Sequence, residues 1–129
     1  MVVTGGAASG DVRAALSAGL VPAMRARDAV TVSALRSALA ALGNAEAVPS
    51  DGHPRAGAAE EAALGVGAAD VPRRELSEDE VRAVVEREVA ERVEAADRLR
   101  ALGRSEDAER PAAEAAVLRG LLDAARRRA

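Results

Sequence analysis

The chain has 129 residues, about one domain's worth, with 18 basic residues against 21 acidic ones and a net charge of −3. It holds no cysteine and no aromatic residue, which excludes disulfides, thiolate metal sites, cysteine nucleophiles and aromatic stacking on bases. All its basic residues are Arg, and the acidic balance is opposite to the footprint of a typical nucleic-acid binder.

Twelve Leu and 15 Val are about a fifth of the chain, and there is no Ile. The core is therefore thin, with alanine supplying helix propensity in place of burial. A thin core favours self-association or a partner, which can supply the missing buried area. No apolar run approaches the roughly 18 residues of a membrane span. The opening MVVTGGAASG has neither the charged n-region nor the apolar h-region of a signal peptide, so a cytoplasmic protein is expected.

Residues 1–10, small and Gly-rich, read as a disordered arm, and residues 11–128 as a single helical domain. Asp11 is placed to cap a first helix running to about Arg27, with Val12, Leu16, Leu20, Ala23 and Met24 on its apolar face. Gly19 and Pro22 conflict with a straight helix, and a kink near Gly19–Leu20 is expected. Asp28 sits at a tight turn and caps a second helix from Ala29 to about Val48, striped by Val32, Leu35, Leu39 and Leu42. Ala34, Ala38, Ala41 and Ala45 widen that stripe. So short a connection makes the two helices an antiparallel hairpin or a sharp corner.

Glycine and proline then punctuate residues 49–75, which read as a long flexible loop with one helical turn at Ala58–Leu64. The longest helical signal follows, Leu76–Gly103. Ser77 and Glu80 form a capping box, and Glu78, Asp79 and Glu80 suit the positive end of the helix dipole. Val81, Val85, Val89, Val93, Ala96, Leu99 and Leu102 recur at steps of four and three, giving one apolar stripe. Gly103 marks the stop. Ser105 is placed to cap a last helix reaching about Arg127, faced by Ala108, Ala115, Leu118, Leu121 and Leu122. Pro111 falls in or just after its first turn, where the helix proper can begin.

Chemistry is sparsely signalled. His53, the only histidine, lies in a loop between Gly52 and Pro54 without companion ligands, so no metal is expected. Gly65-Val66-Gly67 lacks the third glycine, strand and helix of a dinucleotide fingerprint, and no cofactor is expected. The carboxylates of the long helix alternate with arginines, Glu78–Arg82, Glu88–Arg92 and Glu94–Arg98 being spaced by four. That is the pattern of a solvated, salt-laced face rather than of a catalytic pair. Candidate phosphate contacts are Arg25, Arg27, Arg36 and Arg104, since backbone phosphates need only cations and donors.

Several stretches together resemble the GatB/YqeY family. LSAGLVPAMRARDAVTVSALRSALAALGNAEAV (residues 16–48) resembles its opening: an apolar helix, "AM", a basic pair with Asp at a turn, then a helix with "LR" and "NAE". RELSEDEVRAVVEREVAERVEAADRL (residues 74–99) is similar to its "LSdeEv" helix, and LGRSEDAERPAAEAAVLRGLL (residues 102–122) to the segment that follows. The resemblance spans about residues 11–122 and covers the family's N-terminal helical domain only. It implies an all-helical domain related to the C-terminal region of the tRNA-dependent amidotransferase B subunit. It also implies a partner in tRNA or a translation-related protein. The family label of carbon–nitrogen ligase with glutamine as amido donor comes with it, but no catalytic residue in the sequence supports that activity.

The expected fold is all-α: an antiparallel helix pair, a long loop, one long central helix and a closing C-terminal helix. The expected role is that of a non-catalytic accessory protein associated with tRNA or with the machinery that amidates aminoacyl-tRNA. The alternative is a protein-interaction module, or one that self-associates as a homo-oligomer, with no nucleic-acid role.

Overall fold

The computed structural model describes residues 5–47 and 74–128, with side chains from residue 11 onward. Four helices account for nearly all of these residues: α1 (Gly5–Arg25), α2 (Ala29–Glu46), α3 (Glu78–Ala101) and α4 (Ser105–Arg128). The fold is an all-α bundle. The helical turn expected at Ala58–Leu64, His53 and Gly65-Val66-Gly67 lie outside the described residues.

Local chemistry sets the helix ends. At the start of α3 the capping box forms in full: the Ser77 hydroxyl accepts from the Glu80 amide and the Glu80 carboxylate accepts from the Ser77 amide. Asp28 caps α2 by accepting from both the amide and the hydroxyl of Thr31, and those bonds hold its carboxyl below the ordinary value. By contrast, Asp11 does not open α1. The helix begins at Gly5, although Gly5, Gly6 and Gly10 are poor helix formers. Pro22 lies inside α1, which is helical to Arg25 although proline has no N–H to donate to residue 18. Pro111 is likewise inside α4, whose first bond runs from the Ala108 amide to the Arg104 carbonyl, so Arg104 rather than Ser105 sits at the cap position.

The two helix–helix corners share one geometry. After α3, the Gly103 amide reaches the Arg100 carbonyl and the Arg104 amide reaches Leu99, with Gly103 in the left-handed region at φ 76°. After α1, the Arg27 amide reaches Met24 and the Asp28 amide reaches Ala23, with Arg27 at φ 58°. Both are Schellman motifs, the second built on a residue that disfavours the conformation.

The helices run up, down, up, down. At the base, the Arg74 amide bonds the Glu46 carbonyl, so the chain re-enters α3 beside the point where it leaves α2. Val12, Leu16, Leu35, Leu42, Val81, Val85 and Leu118 are the largest fully buried side chains, joined by Val89, Leu122 and Ala125. Each such Leu or Val stabilises the fold by about 1.5–3 kcal/mol of burial. Gly19 serves the same core: a Cβ there would lie 3.1 Å from Leu35 Cδ1, so the missing side chain lets α1 and α2 approach closely. Beyond Leu35, toward the corners, the buried apolar positions are Ala23, Ala34, Ala96 and Ala108.

The apolar stripe of α3 breaks halfway. Val81, Val85, Val89 and Ala96 are buried as the spacing predicts, but Val93 is 39% exposed and Leu102 71% exposed. From Val89 the buried line steps by three to Arg92 and by four to Ala96, so Arg92 takes the inward position that Val93 was expected to fill.

Candidate functional site

A hydrogen-bonded bridge sets the register of three helices. The Arg92 guanidinium donates to Glu114 Oε1 on α4 at 3.0 Å, to Glu88 Oε1 on its own helix at 2.9 Å and to the Ser37 hydroxyl on α2 at 2.7 Å. Ser37 in turn donates to Glu88 Oε1 at 2.9 Å, and Arg110 donates to the second oxygen of Glu114 at 3.2 Å. The Arg92, Glu88 and Glu114 side chains are 15%, 14% and 11% exposed, so the bridge is mostly shielded from water. Burial pushes the Glu114 carboxyl up, but hydrogen bonds from Arg110, Arg92 and Ser33 outweigh it and hold the group below its ordinary value.

The sequence spacing identified Glu88–Arg92 as an exposed helical pair. The pair forms, but as the centre of a buried bridge. The step from Val89 to Ala96 puts position 92, like position 93, within reach of the core line, but the partners that turn Arg92 inward lie on other helices.

Ser37, Arg92 and Glu114 are bonded together and so lie at one level. Arg27 precedes Ser37 by ten residues, and Arg104 precedes Glu114 by ten. At about 1.5 Å per residue each stands about 15 Å beyond the bridge, at the same end of the bundle. The up-down topology thus brings together two corners far apart in sequence. Arg25, Arg27 and Arg36 are exposed and have no carboxylate partner within salt-bridge distance among the described residues. Arg36 donates to Met24 Sδ at 3.9 Å, which ties α2 to the last turn of α1. Arg104 differs: it pairs with Asp107 at 2.8 Å within the first turn of α4. Among the described residues, three of the four candidate arginines therefore have no carboxylate partner, and the fourth is paired with Asp107.

At the base the electrostatics are different. Glu78 carries a buried Oε1 with no hydrogen-bond partner, and Arg82 lies 3.7 Å from its other oxygen. Burial pushes its carboxyl up; Arg82 opposes this, while Asp11 and Asp79 add to it. Among the described residues, no group of three or more His, Asp or Glu side chains is arranged to hold a metal ion. Nor is any described helix long and apolar enough to cross a membrane. An open groove of about 280 Å³ between α3 and α4, floored by Val89 and Leu122, is rimmed by Arg119, Arg126, Glu86 and Asp123, whose charges balance.

No family model, no curated protein and no solved structure matches this chain.

Proposed function

We propose that this chain is a GatB/YqeY-like helical accessory protein of the cytoplasm. It acts by binding tRNA, or the machinery that amidates aminoacyl-tRNA, and not by catalysis. The observation that supports the reading most is the placement of Arg25, Arg27 and Arg104 at one end of the bundle, with Arg36 reaching up to Met24 in the last turn of α1; Arg25, Arg27 and Arg36 have no carboxylate partners among the described residues. Guanidinium groups on a rigid end can neutralise backbone phosphates without base stacking, which a chain lacking aromatics does not offer. Titrating the protein with bulk tRNA tests this. Affinity should fall steeply with salt, and Arg25→Ala, Arg27→Ala and Arg36→Ala should each reduce the salt slope by roughly one unit. No saturable binding at low salt would remove the reading.

A second reading is a protein-interaction module with no nucleic-acid role. Its support is Val21 and Met24, 52% and 47% exposed on α1.

A further inference from the structure

The two helix pairs present different surfaces to solvent. The outward positions of α3 and α4 are dense in both signs of charge, with pairs such as Arg100–Asp97 and Arg104–Asp107 among them. Between Ala14 and Asn44, the exposed positions are mostly Ala, Ser, Val, Pro and Met, and the only charges among them are Arg25, Arg27, Asp28 and Arg36. A solvent face with few charges that carries two large apolar side chains is suited to interaction.

We propose that the outer face of the α1–α2 hairpin docks an amphipathic helix of a partner protein, apolar on one side and acidic along its flanks. Val21 and Met24 form the apolar floor, and small Ala14, Ser17 and Ala40 let a helix backbone approach. Arg25 and Arg36 stand on the rim with no carboxylate partner among the described residues, which fixes the complementary charge as negative. Arg36 lies against the Met24 sulfur, so the cationic rim and the apolar floor are adjoining parts of one surface. The size of the face selects a single helix over a second copy of this chain. Two helices about 9 Å apart, exposed over about 20 Å, offer on the order of 400 Å². A stable dimer uses about 800 Å² per partner, whereas one helix about 10 Å wide fills such a groove.

This inference does not depend on tRNA binding, although Arg25 and Arg36 are shared between the two. The test is fluorescence anisotropy at low salt with a labelled synthetic helix of about five turns, leucine on one face and glutamate on the other. We expect saturable binding that Val21→Asp and Met24→Asp each weaken about tenfold or more, as loss of a central apolar anchor does. Arg25→Glu combined with Arg36→Glu should weaken it further, while Arg119→Glu on the far side of the bundle should leave it unchanged. All five positions are exposed, so the fold is expected to tolerate the changes. Absence of saturable binding, binding that survives both aspartate variants, or equal binding of a lysine-flanked version of the peptide would overturn the proposal. So would tRNA binding that is lost on Val21→Asp and Met24→Asp, because the apolar face would then belong to RNA.

Discussion

The base and the corner end of this bundle are built on different principles. At the base, four helices meet through Val12, Leu16, Leu42, Val81, Val85, Leu118 and Leu122. Beyond Leu35, toward the corner end, the buried apolar residues are alanines among the described residues, and two tight turns and the bridge of Arg92 beneath hold the helices there. Apolar burial is non-directional and scales with area, whereas the bridge depends on geometry. The difference implies that most of the stability resides at the base. Arg25 and Arg27, with no carboxylate partner among the described residues, stand at the corner end.

The sharpest way to break this comparison is to remove one methyl-bearing side chain from each end. Leu118→Ala should cost about 2–5 kcal/mol, through lost burial and the cavity left behind. Ala108→Gly, equally buried, should cost only about 1–2 kcal/mol, from one methyl group and glycine's helix penalty. Midpoints in urea would rank them. Equal losses would mean that the alanine end carries as much stability as the leucine end.

The bridge offers the next largest effect. Arg92→Met keeps the aliphatic stem but removes the guanidinium and strands Glu88 and Glu114 in a mostly shielded site, and about 1–3 kcal/mol should be lost. Replacing Glu114 by Leu as well should recover part of that loss, since the buried carboxylate goes with its partner. A double-mutant cycle on this pair should give a coupling of about 0.5–3 kcal/mol. A coupling of zero would reduce the bridge to a surface ion pair.

These two ends were unequally legible in the sequence. The base was readable because Val and Leu recur at helical steps and nothing competes with them for the interior. The caps were readable too, since Asp28, Ser77 and Gly103 each carry their chemistry locally. What the spacing could not show was the exchange of Val93 for Arg92. Both lie within reach of the core line, and which one turns inward depends on Glu114 and Ser37, which are brought there by other helices. The turn after α1 was readable from Asp28, but the left-handed conformation of Arg27 was hidden, because Arg gives no signal for it and the motif is recognisable only from the backbone. That Arg25, Arg27 and Arg104 share one end follows from the bundle topology, whereas Arg36 springs from the level of the bridge and only its guanidinium reaches Met24 in the last turn of α1.

Acid should separate the two ends by sign. Glu114 has a depressed value in the folded state, so its contribution is present above the unfolded glutamate value and is lost as pH falls through the lower folded one. Glu78 has a raised value, so its ionised form weakens the fold at neutral pH, and that penalty is relieved as pH falls through its folded value. Stability measured downward from neutral pH should therefore lose an early gain in Glu78→Gln and a later decline in Glu114→Gln. A Glu114→Gln variant that keeps the full acid decline would show that the bridge is not linked to pH.

The smallest expected effects come from the two corners, which pose the same backbone problem with different residues. A left-handed conformation costs a residue with a side chain roughly 1 kcal/mol more than glycine. Gly103→Ala should therefore lose about 1 kcal/mol, even though no atom stands within 4 Å of the added Cβ. Arg27→Gly should gain up to about 1 kcal/mol by the same argument reversed. If it does, the chain retains Arg27 at a measurable cost to stability, and tRNA affinity should drop in the same variant. An Arg27→Gly variant that is more stable and binds tRNA as before would instead make the corner a purely structural compromise.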